Sequence, residues 1–156
     1  MRKGVNNSWE YYENQCFIGT TLWSKITRPE YEINDIYCIP NFDYMKCNRL
    51  NMLNVDFLDD ALEKNDNCII ITHHMPSYDL IHPKYITPKI APYNQWFCCN
   101  LNDLIREKSG KIDAWIYGHT HTPSYKKYMI FLLHVTQLVT QMKTNLYRLI
   151  MLLSLI

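Results

Sequence analysis

Apolar residues fall in three short runs separated by long polar stretches, and each run predicts an element. Cys16-Phe17-Ile18-Gly19-Thr20-Thr21-Leu22-Trp23-Ser24 is rich in β-branched and aromatic residues and reads as one buried strand interrupted by a glycine. Cys68-Ile69-Ile70-Ile71-Thr72 is a β-branched run of the kind buried on both faces of a parallel sheet. Ala114-Trp115-Ile116-Tyr117 is a third strand, and it runs straight into Gly118-His119-Thr120-His121. Between the runs the apolar spacing turns helical. Phe57, Leu58, Ala61 and Leu62 recur on one face behind Asn54 as N-cap and Asp56 in the first turn, predicting a helix of about three turns that Asn65-Asp66-Asn67 stops. Trp96, Phe97, Asn100, Leu101, Leu104 and Ile105 predict a second helix, with Lys108 in its last turn and Gly110 as a left-handed cap.

Elsewhere the pattern is weak. Residues 26–54, with Pro29, Pro40 and scattered asparagines and aspartates, read as a long surface connection holding one short helical turn. Pro76, Pro83, Pro88 and Pro92 mark an irregular loop after the second run, with Tyr78, His82 and Tyr85 along it. From Met129 onward the apolar pattern fits no amphipathic template. The order strand, loop, helix, strand sets His73 and His119 at the carboxyl ends of two parallel strands, where open α/β sheets place their sites. Alternate histidines after a glycine turn present imidazoles to neighbouring ions.

Composition changes this picture only by exclusion. The chain has 156 residues, 47% hydrophobic and 20% charged, which suits one domain with a core. A net charge of +1 gives no electrostatic footprint for nucleic acid or an anionic membrane. Six irregularly spaced cysteines, two of them adjacent and none in a Cys-x-x-Cys pair, point to reduced thiols in a cytosol-like compartment. The polar start carries no secretory signal pattern, and the apolar stretch from Leu146 to Ile156 falls short of the about 20 residues a membrane span needs, so a cytoplasmic, soluble chain is expected. His82 and His134 stand alone and read as ordinary structural or surface imidazoles; the helix stripe of Trp96, Phe97, Leu101 and Leu104 reads as core. The many tyrosines and asparagines are assigned no function and read as the composition of an adenine- and thymine-rich genome.

Three motifs in order, Phe17-Ile18-Gly19-Thr20-Thr21-Leu22-Trp23-Ser24, Ile71-Thr72-His73-His74-Met75-Pro76-Ser77 and Tyr117-Gly118-His119-Thr120-His121, resemble the carboxy-terminal motifs of calcineurin-like metallophosphoesterases. The resemblance covers about Cys16 to Ser124. It implies a metallophosphoesterase-type αββα sandwich in which two divalent ions (Mn, Fe, Zn or Mg) activate a bridging hydroxide against phosphorus. Carried over by motif, His73 and His119 ligate one metal and His121 the other, while His74 lies near the substrate as a catalytic residue. Tyr78 or His82, on the loop, could reach the leaving group.

The same resemblance exposes a gap. The family's Asp-x-His, Gly-Asp-x-x-Asp and Gly-Asn-His-Asp/Glu motifs, which supply the carboxylates of the centre, do not occur before Cys16. The expected fold is therefore incomplete: the carboxy-terminal half of the sandwich, without its amino-terminal strands. Such a chain is expected to bind at most one ion, weakly, and to meet a phosphoester substrate only if an upstream half completes it. The alternative is a non-catalytic remnant or binding module. The partial phosphoesterase domain is assigned to residues 1–128. Residues 129–156 are assigned to a frame-shifted tail, because Val135 through Thr144, read one nucleotide earlier, permits the family's missing Asn-x-x-Gly-Tyr element.

Overall fold

A computed structural model describes residues 7–119 and, as backbone, the strands 125–127 and 131–134. His121, and all of the tail assigned to residues 129–156 except the backbone of 131–134, lie outside the described residues. The chain forms a six-stranded mixed sheet in the order β1-β2-β3-β4-β6-β5. Its strands are β1 (Ser8–Tyr12), β2 (Gln15–Thr20), β3 (Cys68–Thr72), β4 (Ile112–Tyr117), β5 (Tyr125–Lys127) and β6 (Phe131–His134). β2, β3, β4 and β6 run parallel; β1 and β5 are antiparallel to their neighbours. The mixed α/β class expected from the strand–helix alternation is the one observed.

Inward positions alternate as a pleated strand requires. Cys16, Ile18, Cys68, Ile70, Ile112, Trp115 and Tyr117 pack in one core with Leu58, Ala61 and Leu62 of α2 (Tyr44–Lys64) and Ile105 of α3 (Asn102–Glu107). The step from Ile112 to Trp115 breaks strict alternation because the β3–β4 register shifts between Cys68 and Ile69. On the opposite face Phe17, Ile69 and Ala114 lie side by side, half-buried. A smaller core of Ile26, Phe42, Cys47 and Trp96 sits beneath α1 (Asp35–Cys38).

Several sequence expectations are corrected. The first strand stops at Thr20, because Leu22 takes a left-handed conformation (φ 56°) that no strand continues. The polar stretch 26–54 contains α1 and the first half of α2, so it is not a surface connection. Asp43, not Asn54, caps α2: its side chain accepts the Lys46 amide at 2.7 Å. Asn54 lies buried in the middle of that helix.

The helix expected over Trp96 to Lys108 is split into a 3-10 segment (Ala91–Trp96) and α3, because the intervening backbone turns aside to bridge Met75 with Cys98. Gly110 sits in a 3-10 turn (Ser109–Lys111) without a positive φ, so it is not a left-handed cap. The hairpin that adds β1 turns at Glu13, whose φ of 54° lacks the usual glycine. The six cysteines form no disulfide, and five of them are buried. No helix among the described residues is long and apolar enough to cross a membrane.

Candidate metal centre

The carboxyl ends of β2, β3 and β4 are laced together by the backbone just beyond the strands. His73 and His74 both donate their amides to the Thr21 carbonyl, at 3.3 and 3.2 Å, and the Gly118 amide donates to the His73 carbonyl at 3.1 Å. These bonds fix where the side chains after each strand emerge. The sharp turn is taken by His119 itself (φ 68°), not by Gly118, whose φ is negative. A Cβ on Gly118 would meet the His73 carbonyl at an ordinary 3.6 Å, so the glycine turn read from the sequence is not sterically required there. A left-handed histidine is uncommon and costs about 1–2 kcal/mol, a strain typical of functional positions.

His73, His74 and His119 converge, each offering one ligand atom, all within 4.8 Å of one another. His73 Nε2 and His119 Nδ1 are 2.6 Å apart, so one carries a proton that the other accepts. The rings of His73 and His119 meet edge to face, as do those of His74 and His119, with centroids 4.6 and 5.0 Å apart. Phe97 stacks on His119 at 4.9 Å with an interplanar angle of 27°, and Trp23 sets its ring against His74 at 5.5 Å. Neither aromatic residue was singled out for the site from sequence; each reads there as core, and only the fold places it against an imidazole.

The three histidines differ in environment. His73 is exposed, His119 half-exposed, and His74 retains 3% exposure. His74 lies in the wall of the cluster, with Nδ1 3.0 Å from the Leu22 carbonyl. Burial, reinforced by the neighbouring His119 and His73, pushes the His74 imidazole down to about 3, against a smaller opposing effect of the Leu22 bond. Desolvation by the surrounding chain also lowers His73, although the residue as a whole is exposed, and the Asp35 carboxylate partly offsets it. Both rings are therefore neutral near pH 7, the form that ligates metals.

His82 does not join this cluster. Its Nδ1 accepts the Lys84 amide at 3.2 Å and caps the 3-10 turn Pro83–Tyr85. Tyr78 begins a separate 3-10 turn (Tyr78–Leu80), capped by Ser77, and burial holds its phenol at about 12. The buried thiols of Cys47 and Cys99 are likewise pushed up to about 12, which keeps them protonated and unfit as ligands.

A donor set of neutral imidazoles fits one divalent transition ion. It does not fit two: at the usual separation of about 3.5–4 Å, two dications repel by roughly 18 kcal/mol at an effective dielectric of 20. Among the described residues no carboxylate belongs to the cluster to offset that.

A family model described as calcineurin-like phosphoesterase matches residues 2–123. An uncharacterized protein of Acanthamoeba polyphaga mimivirus, L509, is 31% identical over 141 residues, an alignment covering 77% of this chain and 48% of the relative. The chain thus spans about half the length of that relative. No solved structure matches the chain.

Proposed function

Because the chain belongs to the calcineurin-like phosphoesterases, we propose that it carries the histidine half of a phosphoester-hydrolysing metal site, the carboxy-terminal part of the family's sandwich. His73 and His119 hold one divalent ion, His121 serves the second, and His74 borders the reacting region from the protein side. The observation that supports this reading most is the convergence of His73, His74 and His119 at the carboxyl ends of β3 and β4. The ions in such a centre supply Lewis acidity and a nucleophilic hydroxide. This chain's own contribution is neutral imidazole donors on rigid strand ends, held by the Thr21 and Gly118 backbone bonds.

The carboxylates that would let two ions sit side by side are absent from the family's positions in these 156 residues. The chain by itself therefore holds at most one ion, weakly, and does not turn over phosphoesters; an acidic half from elsewhere completes it. The same absence favours a second reading, a non-catalytic remnant with an interaction role. Incubating the purified chain with Mn²⁺ and p-nitrophenyl phosphate tests the half-site reading. No turnover above buffer is expected, and turnover that disappears in His119→Ala would show a complete site and overturn it. Adding a polypeptide that carries Asp-x-His and Gly-Asp-x-x-Asp separates the two readings: restored hydrolysis supports a half-site, and its absence supports the remnant.

A further inference from the structure

The hydrogen bonding of His74 says more about this site than motif comparison does. The Leu22 carbonyl lies 3.0 Å from His74 Nδ1, and a carbonyl only accepts. Nδ1 therefore carries the proton of the neutral ring, and Nε2 carries the lone pair. The Ser24 hydroxyl, 3.4 Å from the same Nδ1, lies on the same side of the ring. A backbone carbonyl on one imidazole nitrogen is the usual arrangement behind a metal ligand, since it fixes both tautomer and ring orientation.

That carbonyl is itself held in place. Leu22 has its left-handed φ of 56°, and the next residue is clamped at both ends: the Trp23 amide donates to Asn54 Oδ1 at 2.9 Å, and its carbonyl accepts from Asn51 Nδ2 at 2.6 Å. Phe97 fixes the His119 ring from the other side. Each of the three imidazoles is thus oriented by a contact outside the cluster or by its partner within it.

We propose that His73, His74 and His119 form a mononuclear site for a nitrogen-preferring divalent transition ion, such as Zn²⁺ or Co²⁺, with His74 Nε2 as the third ligand and a fourth position open. It rests on the reading of His73 and His119 as ligands and changes the role of His74. Ligand nitrogens on a tetrahedral ion lie about 3.3 Å apart for metal–nitrogen bonds of about 2.0–2.1 Å. His73 and His119, now 2.6 Å apart around a shared proton, open slightly as the ion displaces that proton, and the wider pairs, within 4.8 Å, draw in. Imidazole donors without carboxylate favour Zn²⁺, Co²⁺ and Ni²⁺ over Mn²⁺ and Mg²⁺, which prefer oxygen. Alone, the chain then selects a different metal from the one a carboxylate-rich centre prefers.

The test is Co²⁺ and Zn²⁺ titration of the full chain, stripped of metal, followed by calorimetry and by the visible absorption of bound cobalt. One ion per chain with a tetrahedral cobalt spectrum is expected, and no heat from Mn²⁺ or Mg²⁺ at the same concentrations. His74→Phe, which keeps the buried ring volume, should weaken cobalt binding by about 100-fold or more, and His82→Ala, outside the cluster, should leave it unchanged. Cobalt binding that His74→Phe does not weaken, or no cobalt binding at all, overturns the proposal. If His73→Ala abolishes binding while His74→Phe does not, the half-site reading survives and only the third ligand falls. If neither His73→Ala nor His119→Ala affects binding, the half-site reading falls with it. Nitrogen-15 NMR of the metal-free chain gives a second readout: a proton on His74 Nδ1 is expected, and a proton on Nε2 overturns the proposal whatever the variants do.

Discussion

The exit from β2 and the exits from β3 and β4 leave the same edge of one sheet, yet they are built from opposite kinds of polar group. After β2 the chain is pinned by a ladder of amides on α2. Asn48 pairs with both the amide and the carbonyl of Ile26 (2.6 and 2.9 Å), Asn51 takes the Trp23 carbonyl, and Asn54 takes the Trp23 amide. Asn54 also donates to Asn7, which accepts from Thr20 as well. Every bond there joins a neutral donor to a neutral acceptor of fixed identity. After β3 and β4 the chain presents imidazoles to one another, and a proton must be shared or displaced. The first arrangement is satisfied within the protein and gives stability. The second is satisfied best by something added, which is the mark of a site.

The two exits are coupled through one atom, the Leu22 carbonyl, and the largest predicted effect acts there. Asn54→Leu removes a buried side chain, leaves the Trp23 amide without its partner and takes one of two donors from Asn7, which keeps the Thr20 hydroxyl. A loss of about 2–4 kcal/mol is expected, about 1–3 kcal/mol for the stranded Trp23 amide and about 1 kcal/mol for the lost bond to Asn7. Urea denaturation measures it. A loss below about 0.5 kcal/mol would mean that the ladder does not hold the β2 exit, and the contrast between the exits would collapse.

Acid should distinguish the exits next, because only one of them titrates. His74 in the fold has its pKa depressed to about 3 against an ordinary value near 6.5. As pH falls below about 6.5 the unfolded chain takes up a proton that the folded chain refuses, so stability is full at neutral pH and is lost toward pH 3. The slope is about 1.4 kcal/mol per pH unit for one such group, or about 2 kcal/mol by pH 5. His73, lowered in the same direction, adds to it. Urea unfolding in chelator between about pH 7 and 5 gives the slope, and the difference between the wild type and His74→Phe isolates the His74 contribution from the carboxylates. Identical slopes would show that His74 is not held neutral by the fold.

The sequence disclosed the imidazole exits far better than the amide one, for a physical reason. β-branched residues in β3 and the apolar residues of β4 announce strands, and strand–helix alternation brings His73 and His119 to one edge without any knowledge of side-chain contacts. The first half of α2 was illegible because Asn48, Asn51 and Asn54, three residues apart, face the neighbouring segment with amides instead of hydrocarbon. Polar residues at helical spacing carry no apolar periodicity, so they resemble a loop and pass for composition bias. The role of Leu22 was hidden for another reason: what matters is the direction of its backbone carbonyl, set by a left-handed φ that a leucine does not advertise. The turn after β4 is hidden in the same way: the sequence points to Gly118, but the left-handed residue is His119, one position later.

That strain supports the smallest prediction and the sharpest use of the contrast. Asparagine tolerates the left-handed region better than histidine, so His119→Asn relieves backbone cost at φ 68°. Against that gain it gives up the Phe97 stacking, worth about 0.5–1.5 kcal/mol, and the contact with His73. The two nearly cancel, and the metal-free variant should unfold within about 1 kcal/mol of the wild type, far less than the Asn54→Leu loss. The ion-dependent part should vanish instead: adding Zn²⁺ raises the melting temperature of the wild type, because it binds only the folded state, and leaves His119→Asn unmoved. A metal-free loss above about 2 kcal/mol would place His119 among the residues that hold the fold together. A site side chain, by contrast, is one the fold keeps at some cost to itself and recovers only when the ion arrives.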